Sequence, residues 1–140
     1  IDIHGEGGQT LKDKFVSGPR TYMGIQSVGF PNLFTINAAS AGNFVRAAEP
    51  LVEWTTEYIR YVRDNGFKRI SATLEAEDEW VKHVNEAGAK SLRTKTDNWF
   101  IGANIPGKAR ALLIAPDTAP AMRAKRAEVA ANGYEGFILE

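Results

Sequence analysis

The chain has 140 residues, enough for one domain with a modest core. Its 17 Lys and Arg balance its 17 Asp and Glu, so it lacks the basic footprint of a nucleic-acid or anionic-membrane binder. Cys is absent, which excludes disulfides and thiolate metal sites and is in keeping with a reducing cytoplasm.

Apolar residues make up 44 % and charged residues 24 % of the chain, ordinary values for a globular protein. No apolar run approaches the roughly 18 residues that a membrane span needs. The N-terminal Ile1-Asp2-Ile3-His4 has no basic flank and no signal-like apolar stretch. It also has no initiator Met, so the chain is expected to begin inside a longer gene product or after a cleavage.

Residues 1–36 read as irregular β structure. Ile1–Ile3 alternates as a short strand, ended by Gly5-Glu6-Gly7-Gly8. Tyr22–Val28 and Leu33–Ile36 are two further strand candidates, with Phe30-Pro31-Asn32 as the turn between them. Asn37–Asn43 is a loop of small residues.

A long helix is expected near Ala47–Asp64. Ala48, Leu51, Val52, Thr55, Ile59 and Val62 fall at helical spacing, and Trp54, Tyr58 and Tyr61 form a second, aromatic row. Pro50 should lie in the first turn, or the helix starts later. Asn65-Gly66 is the stop. A second helix follows Thr73 as N-cap, with Glu75, Glu77 and Asp78 at the positive end of its dipole. Trp80, Val81, Val84, Ala87 and Leu92 form its apolar stripe, and Lys90, Arg93 and Lys95 sit at the far end. Arg110–Ala115 reads as a strand. A third helix is expected over Ala119–Asn132, capped by Asp117 or Thr118 and stopped by Gly133. Tyr134 and Phe137 should then fold back onto the core.

The segment Trp99-Phe100-Ile101-Gly102-Ala103-Asn104-Ile105-Pro106-Gly107-Lys108 joins an aromatic pair to a polar, glycine-containing loop with one cation. Such loops cover ligands more often than they merely connect elements. Trp99 offers one indole N–H and a plane that can cover a ribose or nicotinamide ring. Asn104 offers a donor and an acceptor, and Lys108 a charge suited to phosphate. Residues 102–108 satisfy most of a Walker A pattern but fail it physically. Ala109 replaces the Mg²⁺-binding hydroxyl, Pro106 removes an N–H from the loop, and the following segment reads as strand instead of helix.

Other constellations have structural readings. Gly5, Gly7 and Gly8 do not match the dinucleotide fingerprint. His4 and His83 have no metal-ligand spacing. Ser17, Ser27, Ser40, Ser71 and Ser91 lack a nucleophile elbow. The run Glu75, Glu77, Asp78, Glu79 is explained by helix-start electrostatics. No catalytic residue is expected in this segment, and no metal.

The order of several motifs resembles the Baeyer–Villiger monooxygenases, with cyclohexanone monooxygenase-like members as the comparison. They are Gly7-Gly8 with Leu11–Lys14, Gly18–Gly24, Phe30–Thr35, Val52–Trp54, Ile70–Thr73, Glu79–Glu86, Trp99–Lys108, Glu128–Ala131 and Gly133–Phe137. The resemblance implies the C-terminal segment of an enzyme that uses FAD, NADPH and O₂ to convert a ketone to an ester or lactone. The implied fold is α+β, a mixed fragment with about three helices and several short strands, part of a flavoprotein with two dinucleotide-binding domains. Residues 1–45 would belong to the β region of the FAD domain, 46–95 to a helical subregion, and 96–140 to a control loop, strand and final helix.

The resemblance assigns Trp99 to a mobile loop that closes over NADP, with Asn104 and Lys108 as further nucleotide contacts and Asn43 beside the flavin. Its partners would be the FAD and NADP domains of the parent chain and a small ketone, in the cytoplasm, with neither nucleic acid nor membrane. Two departures stand out. Asn37–Gly42 replaces a Gly-Pro-Gly-like turn near the flavin, placing Cβ atoms where glycine allows close approach. Ala115–Thr118 replaces a loop that contains Tyr and Gly in many members. Neither dinucleotide fingerprint is present, so the segment alone is expected to retain no cofactor and to be inactive. The competing expectation is a non-catalytic fragment or interaction domain that self-associates through exposed apolar surface and strand edges at Leu33–Ile36 or Arg110–Ala115.

Overall fold

A computed structural model describes residues 1–36 and 44–140, apart from the side chains of 44–46. The small-residue loop Asn37–Asn43, and with it the candidate Asn43, lies outside the described residues. The architecture is α+β, as expected. Three long helices, α2 (Phe44–Asp64), α3 (Leu74–Ala89) and α4 (Ala119–Ala131), follow a one-turn helix α1 (Leu11–Lys14). Two three-residue strands, β1 (Ile70–Ala72) and β2 (Phe137–Leu139), pair antiparallel with Ser71 opposite Ile138. No described helix is long and apolar enough to cross a membrane.

The helix ends follow their local chemistry. Thr10, Thr73 and Thr118 each accept a hydrogen bond from the backbone N–H three residues on and so cap α1, α3 and α4. At the end of α2 the N–H groups of Gly66 and Phe67 return to the carbonyls of Arg63 and Val62. The same pattern ends α4, where Gly133 and Tyr134 donate to Ala130 and Val129. This second stop turns the chain so that Tyr134 and Phe137 pack back on α2, as their position predicts. Tyr134 stacks on Tyr58 with ring centroids 4.3 Å apart, and Phe137 lies 4.9 Å from the same ring.

The core sits between α2, α4 and the returning C-terminal strand. Leu51, Trp54, Tyr58 and Val62 of α2 are buried, with Met122 and Val129 of α4, Ile70 and Tyr134. The inward face of α2 therefore combines Trp54 and Tyr58 of the aromatic row with Leu51, Thr55 and Val62 of the other. Val52 and Ile59, expected on the apolar stripe, are 46 % and 47 % exposed. Pro50 lies inside α2 and not in its first turn, because the helix begins at Phe44. On α3, Trp80, Val81, Val84 and Ala87 are half-buried, but the helix stops at Ala89 and Leu92 is exposed.

The strand candidates are corrected. Ile1–Ile3 forms no strand. It leads into a fold-back in which Gly5 donates to Gln9, Leu11 donates to Ile3 and only a single His4–Thr10 bridge forms. Tyr22–Val28 closes on itself, since Met23 takes φ 52° and Tyr22 donates to Gln26 at 2.7 Å. Leu33–Ile36 is held by Thr35 N–H on Ile25 O but joins no strand. Arg110–Ala115 runs without forming a strand, held through Leu113 N–H on Phe100 O at 2.8 Å. In each case hydrogen bonds to turns and loops take the place of a ladder. The edges on which the self-association expectation partly rested are thus absent as strands.

Candidate nucleotide-contact loop

The Trp99 loop is rigid at its base and open at its tip. Trp99–Ile101 forms one 3₁₀ turn, and Asn98 caps it by accepting from Phe100 N–H at 3.0 Å. The Asn98 amide also donates to Arg93 O at 2.7 Å, tying the turn to the segment after α3. Ile101 is buried and fixes the turn from below. On the far side Arg110 donates to Gly102 O at 3.3 Å.

Gly102 takes φ 73°, a left-handed conformation that favours glycine. A Cβ there would lie 3.2 Å from Cδ of Lys108, so the missing side chain also makes room for the lysine stem. Phe100 sits between two neighbours. Its ring stacks on Trp99 at 3.9 Å, and the Arg93 guanidinium lies 4.5 Å from its centroid.

These supports leave Trp99 half-exposed, at 52 %, while its backbone is held. Asn104 and Lys108 are exposed, and their side chains have no hydrogen-bond or ion-pair partner among the described residues. The three residues singled out in this loop thus share one segment and face solvent. An aromatic plane, an amide and an ammonium group suit a nucleotide's ring, hydroxyls and phosphate. The Walker A reading stays excluded by Pro106 and Ala109, and the segment after Lys108 is not a helix. Among the described residues the one passage from strand to helix, β1 through Thr73 into α3, carries no glycine-rich dinucleotide turn.

The other sequence candidates take structural roles. His83 is exposed on α3 and its Nε2 lies 2.9 Å from Asp117, next to the Thr118 cap. Asp117 thus bridges to α3 and does not cap α4. Among the described residues no group of three or more His, Cys, Asp or Glu could hold a metal.

Helix-start electrostatics accounts for most of the acidic run but not for Glu77. Its side chain is fully buried, 2.9 Å from Lys14 and 3.3 Å from Arg20, and it accepts from Val28 N–H at 2.7 Å. Arg20 also pairs with Asp78. Both cations lie more than fifty residues upstream. The only sequence hint was a single acid on the inward side of an otherwise solvated helix start.

No family model matches the chain. It is 38 % identical over 144 residues to an acetone monooxygenase (methyl acetate-forming) of Gordonia sp. (strain TY-5), covering 99 % of this chain and 27 % of that protein. It superposes on cyclohexanone monooxygenase from Rhodococcus sp. Phi1, solved bound to NADP⁺, with a TM-score of 0.94 and 31 % identity. The chain is homologous to the Baeyer–Villiger monooxygenases.

That superposition covers 100 % of this chain and 27 % of the cyclohexanone monooxygenase. A complex of OTEMO with FAD and NADP gives a TM-score of 0.91 at 32 % identity, over 100 % of this chain and 26 % of that one. The chain therefore spans about a quarter of the length of the Baeyer–Villiger relatives it matches.

Proposed function

We propose that the chain is the C-terminal segment of a Baeyer–Villiger-type monooxygenase that converts a small ketone to an ester or lactone with NADPH and O₂ in the cytoplasm. The observation that carries this reading is the superposition of the whole chain on one part of an NADP⁺-bound cyclohexanone monooxygenase. Residues 1–45 then belong to the FAD domain, 46–95 form a helical subregion, and 96–140 supply the control loop and final helix. The rest of the parent chain supplies the FAD and NADP domains.

In this reading Trp99, Asn104 and Lys108 hold NADP and Asn43 lies beside the flavin. The bound nicotinamide supplies the reducing equivalents. Trp99 covers a ring or ribose with its indole and donates one N–H. Lys108 meets phosphate, Asn104 bonds a sugar hydroxyl, and the fixed base of the loop excludes water from the covered face. None of these residues transfers a proton in the reaction.

The first test is the visible spectrum after FAD is added and the excess removed. The 140-residue chain alone is expected to be colourless, and the parent protein to keep a flavin band and oxidise NADPH in a ketone-dependent way. A parent that binds no flavin, or whose NADPH oxidation ignores every ketone, refutes the reading. The second test is Trp99→Ala in the parent. It should raise KM for NADPH about tenfold, the equivalent of roughly 1.4 kcal/mol, with little change in melting temperature, because the side chain is half-exposed. An unchanged KM would remove Trp99 from the nucleotide site.

A second reading is favoured by one observation. Val52 and Ile59 present apolar surface on the outer side of α2, and Ile138 does so on β2. In the isolated chain this surface would drive self-association without catalysis. Sedimentation that depends on concentration, together with no cofactor binding by the parent, would select it.

A further inference from the structure

Arg126 is an arginine of α4 with 9 % exposure and no ion-pair partner among the described residues. Its guanidinium forms no ion pair and no hydrogen bond among the described residues. The remaining side chains, those of residues 37–46, include no Asp or Glu, so no carboxylate of this chain neutralises it. Burial, and then the nearby charge of Arg123, hold its pKa below the ordinary arginine value. A buried cation left in this state is costly.

The side chain borders a cleft of about 220 Å³ that is separate from the Trp99–Lys108 loop. The cleft walls come from five segments: the Ser17–Gly24 turn, α2, α3, residues 111–115 and α4. The turn approaches residues 111–115 closely because Gly18 has no side chain. A Cβ at Gly18 would lie 2.4 Å from that of Ala111, and its φ of 123° disfavours any other residue. Leu51, Trp80, Leu112 and Met122 give the cleft apolar walls, and no Asp or Glu lines it. Arg20 is the other cation there, and Glu77 and Asp78 already pair it.

We propose that this cleft binds a small carboxylic acid with an apolar body. The carboxylate would lie on the Arg126 guanidinium and the hydrocarbon part against Leu51, Trp80, Leu112 and Met122. A guanidinium takes a carboxylate through two parallel N–H bonds, and low local polarity strengthens them. The cleft volume lies below the usual range for drug-sized ligands, which limits the body to a short chain or a single ring. The inference does not depend on the monooxygenase reading, since it uses no residue of the nucleotide loop.

The test titrates the full 140-residue chain with sodium hexanoate at neutral pH in a calorimeter, with hexan-1-ol as the uncharged match. Hexanoate is expected to bind one-to-one, and hexan-1-ol at least about tenfold more weakly. Arg126→Met should lose about tenfold or more in hexanoate affinity, and Arg126→Lys should recover part of it. If Arg126→Met does not fold, the unmodified chain still decides. Hexanoate should slow the reaction of Arg126 with phenylglyoxal, mapped by mass spectrometry, while Arg123 reacts unchanged. The proposal is overturned if hexanoate shows no saturable binding, if hexan-1-ol binds equally well, or if folded Arg126→Met binds as before. A dimer that hexanoate dissociates without a one-to-one complex would also overturn it, placing a carboxylate of a second copy on Arg126.

Discussion

Replacing Glu77 with Ala is expected to destabilise the chain by about 3–5 kcal/mol, which lowers the melting temperature by roughly 10 °C or more. The magnitude follows from what the carboxylate leaves behind. It is fully buried and joins three separate segments: Lys14 at the end of α1, Arg20 in the following turn, and the backbone N–H of Val28. Removal would strand the Lys14 ammonium, which is 9 % exposed, and leave the Val28 N–H without its acceptor. Arg20 would keep Asp78. Glu77→Gln should cost less, because an amide oxygen still accepts from Val28 while only the charge is lost. Thermal unfolding of both variants checks the ordering. If Ala and Gln melt together within a degree, the charge is what matters and the Val28 bond contributes little. If Ala melts like the parent sequence, the buried network does not hold residues 11–28 on α3.

The sequence was most legible where structure is local. The Thr73 and Thr118 caps, the Gly66 and Gly133 stops, and the return of Tyr134 and Phe137 each depend on a few adjacent residues. The same holds for Phe30–Asn32, which turns as expected with Asn32 at φ 58°. The strand candidates failed because a short run of strand-forming residues says nothing about a partner. Tyr22–Val28 holds strand-forming residues, yet its backbone is satisfied within a turn. The pair that does form, β1 with β2, joins residues almost seventy positions apart and was not anticipated.

The inward face of α2 was legible in part: Leu51, Thr55 and Val62 of the expected stripe are buried, while Val52 and Ile59 are exposed. Both rows contribute to one broad inward face, which Trp54 and Tyr58 centre because their rings bury more area and meet Tyr134 and Phe137. The candidate loop was legible as a unit, and its three residues do share one exposed segment. Glu77 and Arg126 were not legible as special. Glu77 acquires its partners only through contacts distant in sequence, and the Arg126 guanidinium has none among the described residues.

Trp54 tests how far the core depends on that aromatic face. Trp54→Ala should cost about 3–5 kcal/mol through the cavity it leaves, and roughly 1 kcal/mol more through its lost hydrogen bond. The indole is buried, lies 5.3 Å from Tyr58 and 5.4 Å from Tyr134, and donates to Arg126 O at 2.9 Å. That bond ties the middle of α2 to α4. Trp54→Phe keeps most of the apolar volume and loses only the donor, so it separates the two contributions. A loss of about 1–2 kcal/mol for Phe against 4 or more for Ala would assign the effect to packing. Equal losses would assign it to the α2–α4 hydrogen bond. The distinction bears on the cleft as well, because the residue whose carbonyl Trp54 holds is the one whose guanidinium borders it. If the bond sets the position of α4, Trp54→Phe should weaken hexanoate binding while the chain stays folded. If packing sets it, Trp54→Phe should bind hexanoate as the parent sequence does.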